Sequence, residues 1–197
     1  MQLIGGTGSP YVRKVRVTLA ELGMTEKVEL VPSGGTPGTL NQETSGKNPV
    51  GKIPALIMED GTPLFDSRMI LRYLNDMASG PLYPAGDWAM VRRESTAEGM
   101  LDAALILRFE TFARPEELRW QGWIDGQSQK VNQCLDALNG DAALLERVDA
   151  ASITAGCGLG YLDFRFPDWG WRNGRDGLAK WYETFAKRPS METTKPG

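Results

Sequence analysis

A change of pattern near residue 80 limits the architecture of this chain more than any other feature. Upstream of it, short strand-like runs alternate with helical periods; downstream, only helical periods remain. Residues 2–5 read as a strand and 10–22 as a helix, with Val12, Val15, Leu19 and Leu22 on one face. Pro10 suits the first helical turn and Gly23 the residue just past the end. Residues 27–31 predict a second strand, 33–38 a Gly/Pro-rich loop and 39–45 a short helix. Residues 55–58 and 63–65 form a hairpin around Glu59, Asp60, Gly61 and Thr62, since an Asp-Gly pair fits a tight turn between strands. From Ser67 the period is helical again, with Ile70, Leu74 and Met77 aligned, until Ser79-Gly80-Pro81 stops it. The order βαβαββα makes this half an α/β unit with an antiparallel hairpin in its sheet.

Residues 81–86 read as a connector, which divides the chain into 1–80 and an all-helical 86–197. Helices are predicted over 87–113, 118–138, 149–164 and 174–187. Glu98 interrupts the apolar face of the first, and Pro115 stops it. The second carries Trp120, Ile124, Gln127, Val131, Leu135 and Leu138 in register, and the last carries Leu178, Trp181, Tyr182 and Phe185. Residues 192–197 read as a frayed tail.

Composition removes whole classes of function. With 197 residues and 41% hydrophobic content, a core needs no disulfide or metal to close it. A net charge of −3 leaves no basic excess to hold a phosphate backbone. No apolar run approaches the roughly 20 residues that span a bilayer, and Met1 leads into a strand-like segment without a charged and apolar leader, so a cytoplasmic protein is expected. Cys134 and Cys157 read as reduced core thiols, far from any CxxC pattern. Histidine is absent, which eliminates Ser-His-Asp and Cys-His catalysis and HExxH zinc sites. Chemistry is left to hydroxyls, carboxylates, Lys, Arg, Tyr and backbone dipoles, or to a reactive group carried by a cosubstrate. No metal is expected.

Three motifs remain. Gly5-Gly6-Thr7-Gly8-Ser9-Pro10 follows a strand and opens a helix, yet Tyr11 stands where a dinucleotide fingerprint needs glycine, and no Gly-Lys-Ser/Thr follows. Arg13, Lys14 and Arg16 add charge to a helix start that already favours anions, although a solvated face is the ordinary reading of such a run. Pro54 stands at a strand entry, where its missing N–H is tolerated; an Ile53-Pro54 cis bond competes with the commoner trans form, since only about 5–6% of X-Pro bonds are cis. Asp66-Ser67 opens the next helix, by default as an N-cap.

Taken together, Ser9-Pro10-Tyr11-Val12-Arg13-Lys14-Val15-Arg16, Asn48-Pro49-Val50-Gly51-Lys52-Ile53-Pro54-Ala55-Leu56 and Asp66-Ser67 occur in the order seen in the cytosolic glutathione S-transferases, which the chain resembles over nearly its whole length. Gly156-Cys157-Gly158-Leu159-Gly160-Tyr161-Leu162-Asp163-Phe164-Arg165 and Arg188-Pro189-Ser190 resemble the late helices of a bacterial branch with serine at the catalytic position. The resemblance implies a thioredoxin-like domain with a mixed four-stranded sheet, an all-α second domain, and glutathione as cosubstrate. It implies that Ser9 is catalytic, its hydroxyl hydrogen-bonding the glutathione thiolate beside the helix end at Pro10 and Tyr11. It makes Pro54 the family's cis-proline, leaves the Ile53 backbone to pair with glutathione as an added strand, and places Asp66 and Ser67 at the γ-glutamyl end. Lys52 is read equally as an anchor for the glycyl end or as a solvated loop lysine. Tyr11, Phe109, Phe112, Trp169 and Trp171 are candidates to line an electrophile pocket, against the ordinary reading of aromatics as core. A homodimer is implied, to which Arg92 and Arg93 are candidate contributors beside the plainer reading of a solvated face.

One position departs from the family pattern. In the late helix Asp149 stands at the cap and Ser152 three residues on, the reverse of the usual Ser/Thr then Asp, so the reciprocal carboxylate of a capping box is expected to be lost at up to about 1 kcal/mol. Rival readings are a glutathione-dependent reductase or peroxidase, disfavoured by serine rather than cysteine at position 9, a non-catalytic glutathione-binding or regulatory protein, and an interaction module without a pocket.

Overall fold

A computed structural model describes residues 1–35 and 41–196. Two compact units emerge, 1–84 together with 189–197, and 85–188. In the first, β1 (Gln2–Ile4), α1 (Pro10–Glu21), β2 (Glu29–Val31), α2 (Gln42–Lys47), β3 (Ala55–Ile57), β4 (Pro63–Leu64) and α3 (Ser67–Met77) follow in that order. The sheet runs β2-β1-β3-β4, with β1 parallel to β2 and antiparallel to β3, and β3 antiparallel to β4. The predicted mixed four-stranded sheet is present. In the hairpin, Thr62 N–H donates to Asp60 Oδ1 at 2.9 Å, and Gly61 takes a φ of +83° that few other residues tolerate.

Leu3 of β1 and Leu56 of β3 meet Val12, Val15 and Leu19 of α1 and Ile70, Leu71 and Leu74 of α3 in one core cluster. Each fully buried side chain of this kind contributes about 1.5–3 kcal/mol. Met77, aligned with Ile70 and Leu74 by period, is exposed, because α3 ends there. The short helix predicted over 39–45 begins after its cap at Asn41 and runs to Lys47; Thr39 and Leu40 lie outside the described residues, as do the loop positions 36–38.

The tail expectation is corrected. α8 (Pro189–Glu192) belongs to the first unit, with Met191 and Thr194 buried. Arg13 Nη2 donates to the Met191 carbonyl at 3.0 Å, Arg16 Nη2 to the Thr193 carbonyl at 3.3 Å, and the Ser190 hydroxyl to Glu21. These partners stand up to 178 residues apart, so no local pattern announces them.

The second unit contains α4 (Trp88–Arg108), α5 (Gln121–Gly140), α6 (Ala150–Arg165) and α7 (Asp176–Phe185). A π-helical turn (Phe109–Ala113) ends the first predicted helix, and α4 packs on both α5 and α6. Every residue of α6 from Ala150 to Leu162 is buried. Its small residues permit the close approach: a Cβ on Gly158 would run into Met100 and stand 3.4 Å from Leu101. Val131, Leu135 and Leu138 are buried as their period predicts, whereas Trp120, in line with them, is exposed because it caps α5 from outside the helix. The α6 start also corrects an expectation. Ser152 N–H donates to Asp149 Oδ1 and Asp149 N–H to Ser152 Oγ, both at 2.9 Å, so the capping box is intact with the two side-chain types exchanged.

Candidate functional site

Ser9 is the N-cap of α1, in extended backbone conformation, and Pro10 at N1 is buried. The Ser9 Oγ accepts from Val12 N–H at 3.4 Å, a long bond at the limit of a useful one. A hydroxyl accepting one such bond still carries its own hydrogen to give. The first turn of α1 adds backbone N–H groups and partial positive charge at the same place. Tyr11, one residue on, is half-buried.

The loop before β3 is fixed by one side chain. Asn48, nearly fully buried, donates through Nδ2 to the Lys52 carbonyl at 2.7 Å and accepts Val50 N–H at Oδ1 at 2.9 Å. Lys52 itself is exposed, which leaves its two readings as they were. The Ile53-Pro54 peptide bond is cis, with Pro54 buried and Ile53 partly buried immediately before β3. The Phe65-Asp66 bond is cis as well.

Asp66 caps α3, accepting Arg68 N–H at Oδ1 and the Arg68 guanidinium at Oδ2, each at 3.0 Å. Partial burial raises its pKa, but the Arg68 hydrogen bond and charge and the backbone N–H groups of Arg68 and Met69 outweigh that, so the net displacement is downward. Ser67, the first residue of α3, is 1% exposed. Its Oγ accepts from Lys14 Nζ at 3.3 Å. The basic residues of α1 are therefore not the solvated face that a charge run ordinarily means: Arg13 is 5% and Lys14 0% exposed. Burial, and then the Arg13 charge, lower the Arg16 pKa.

The first unit thus holds Ser9, Tyr11, Ile53, Pro54, Asp66 and Ser67 on neighbouring elements around one sheet, and links α1 to α3 through Lys14. Sequence reasoning did not assign Lys14 to the site; its inward direction follows only from how α1 packs.

The aromatic candidates of the helical unit have differing fates. Trp171 is 2% exposed and donates from Nε1 to Asp163 Oδ1 at 2.7 Å, which makes it core and removes it from any pocket lining. Trp169 packs edge-on against Phe166, with centroids 5.5 Å apart, and Phe109 is partly buried. Phe112 is exposed beneath the Arg108 guanidinium, 3.7 Å from its ring centroid. Arg92 is paired with Asp141 at 2.7 Å, and Arg93, 4% exposed, is buried in the unit and offers little to a surface contact. Among the described residues no helix is long and apolar enough to cross a membrane, and no cluster of metal-ligating side chains occurs.

Residues 8–77 match the glutathione S-transferase N-terminal domain model and residues 121–184 the C-terminal domain model. The uncharacterised GST-like protein YibF of Escherichia coli K12 is 34% identical over all of this chain and 98% of its own length. A glutathione transferase family member from Pseudomonas fluorescens Pf-5, solved with bound glutathione, is 40% identical, covering 100% of this chain and 98% of its own at a TM-score of 0.97. A glutathione S-transferase from Methylobacillus flagellatus with glutathione bound is 33% identical over 100% of this chain and 99% of its own, with a TM-score of 0.87. The mixed sheet with its hairpin, the helical second unit and these matches along both units together place the chain in the glutathione S-transferase family.

Proposed function

We propose that this protein is a glutathione transferase of the serine type, which binds glutathione and adds its thiolate to small hydrophobic electrophiles. The observation that carries the reading is Ser9 at the start of α1: its hydroxyl makes one long hydrogen bond to Val12 N–H and keeps a hydrogen for a sulfur anion. A free thiol near pKa 8.5 is mostly protonated at neutral pH and attacks poorly. Lowering it by about two units requires roughly 2.7 kcal/mol, within the combined reach of a charge-assisted hydrogen bond and a helix N-terminus. No histidine is needed.

In this reading Ile53, ahead of Pro54, pairs through its backbone with the cysteinyl part of glutathione. Asp66 faces the γ-glutamyl amine, Ser67 and the α3 N–H groups its carboxylate, and Lys52 the glycyl end. Glutathione supplies the nucleophile; the chain orients it and holds its charge. The working form is a cytoplasmic homodimer, whose mass light scattering measures.

The deciding experiment is a titration of glutathione into wild type and Ser9→Ala, following thiolate absorbance against pH and conjugation of an aryl halide. The reading requires a depressed thiol pKa and turnover in wild type, with the pKa raised and the rate lost in the variant. Binding without either signal would leave a non-catalytic glutathione-binding protein instead.

A further inference from the structure

In the helical unit α4 and α6 run side by side in the same direction. Arg147 holds both starts, reaching Asp87, the cap of α4, at 2.7 Å and Asp149, the cap of α6, at 3.1 Å. Midway, Gly158 of α6 lies against Met100 and Leu101 of α4. From that contact Leu101 to Arg108 and Gly158 to Arg165 are equal lengths of helix, each about 10 Å. Both helices end on these arginines, so two guanidiniums come to the same end of the pair.

A helix C-terminus favours a cation, which is the ordinary reason for arginine in a last turn. That reason explains each charge by itself but not the surroundings. Among the described residues neither guanidinium has a carboxylate within ion-pair distance or makes a hydrogen bond. Asp163 is taken by Arg172 at 2.7 Å, and Glu110 by Arg114 at 2.8 Å. Each arginine lies instead on an aromatic ring, Arg108 3.7 Å from the centroid of Phe112 and Arg165 4.0 Å from that of Phe164. A guanidinium stacked in this way has one face covered and its N–H groups directed outward in the plane, the fork that fits a carboxylate.

Tyr161, one turn before Arg165 and 4% exposed, carries a hydroxyl that makes no hydrogen bond to any described residue. Burial raises its pKa; the charges of Arg165 and then Arg108 act against that rise without cancelling it, so both guanidiniums bear on the phenol. A buried O–H without an acceptor costs about 1–3 kcal/mol, and phenylalanine would fill the same space without that cost. An apolar wall continues from the phenol: Phe166 stands edge-on to Tyr161 with centroids 6.5 Å apart, and Trp169 edge-on to Phe166 at 5.5 Å.

We propose that this end of the helical unit binds an aromatic carboxylate, with Arg108 and Arg165 supplying the charge and the forked donors, the Tyr161 hydroxyl a further donor, and Phe166 with Trp169 the surface for the ring. A carboxylate answers the donors that the chain leaves without acceptors; a neutral ring would leave them as they are. The site lies wholly within 85–188 and does not depend on what Ser9 does in the first unit.

The test is calorimetric titration of the full chain with 1-naphthoate and with 1-naphthalenemethanol as its neutral counterpart. Wild type should bind the acid at least about tenfold more tightly than the alcohol, the scale of one hydrogen bond to a charged group. Arg108→Met and Arg165→Met should each weaken the acid about tenfold and leave the alcohol within about twofold. Tyr161→Phe should weaken the acid about threefold while melting no lower than wild type, a combination that a merely structural hydroxyl does not give. Should Arg108→Met fold poorly, Arg108→Lys keeps the charge, loses the fork and is expected to bind the acid about threefold more weakly. Wild type that binds acid and alcohol alike, or binds neither, would overturn the proposal. So would acid affinity within about twofold of wild type in all three variants, or inorganic phosphate binding as tightly as the naphthoate, which would mark a site for a bare oxyanion. Conjugation of glutathione is not read in any of these titrations, so each of those failures would leave the glutathione reading in place.

Discussion

Two helix starts in this molecule use the same chemistry for opposite ends. At α6, Asp149 and Ser152 satisfy each other's backbone N–H at 2.9 Å in a fully buried box, and Arg147 closes on the outer Asp149 oxygen at 3.1 Å. At α1, Ser9 makes one bond of 3.4 Å and is partly exposed. A cap whose hydrogen-bonding capacity is consumed and sealed from water can only stabilise. A cap with capacity to spare, at a helix end water can reach, can exchange its solvent for a ligand. Residue type does not separate the two, since each uses a serine hydroxyl; saturation and burial do.

The largest effect should come from removing the sealed cap. Asp149→Ala leaves the Ser152 N–H without its acceptor inside the core and Arg147 without its inner carboxylate, so unfolding in denaturant should show a loss of about 2–4 kcal/mol. Ser9→Ala should cost under about 1 kcal/mol by the same measurement, because a long cap bond contributes little, yet lower aryl halide conjugation about a hundredfold. Equal stability losses in the two variants would erase the contrast drawn between them. The exchanged box offers a finer probe. The double swap Asp149→Ser with Ser152→Asp restores reciprocal capping in the other order and should recover all but about 1 kcal/mol of the Asp149→Ala loss, the remainder reflecting the displaced Arg147 pair.

The smallest expected effect is an absence of one. Arg68 and the α3 N–H groups depress the Asp66 pKa, so whatever this carboxylate contributes to folding or binding is present above its unfolded pKa and lost only as pH falls through the lower folded value. Affinity for S-methylglutathione, which has no thiol to titrate, should therefore stay flat from about pH 8 down to about pH 5. A decline within that window would mean that Asp66 is less well held by Arg68 than the 3.0 Å bonds imply.

The alternation of periods, the Asp-Gly hairpin and the switch to helices after residue 80 were legible because each is a local signal, read over a dozen residues or fewer. The local structure at Ser9, Pro54, Asp66 and Ser67 was legible for a similar reason, because caps and strand entries are local signals. The burial of Lys14, the returned tail and the intact Asp149–Ser152 box were not legible. The first two depend on which face of α1 meets α3 and α8, and the third on which side-chain pairs can reciprocate, not only on which residue stands first.

By itself the sequence determined the class of fold, the family and the kind of chemistry left open by the absence of histidine. Tertiary structure decided which charges are buried and what they meet, since only the neighbours packed on each face of a helix convert a run such as Arg13-Lys14-Val15-Arg16 into contacts with the returned C-terminal segment, a buried donor to Ser67 and a core contact.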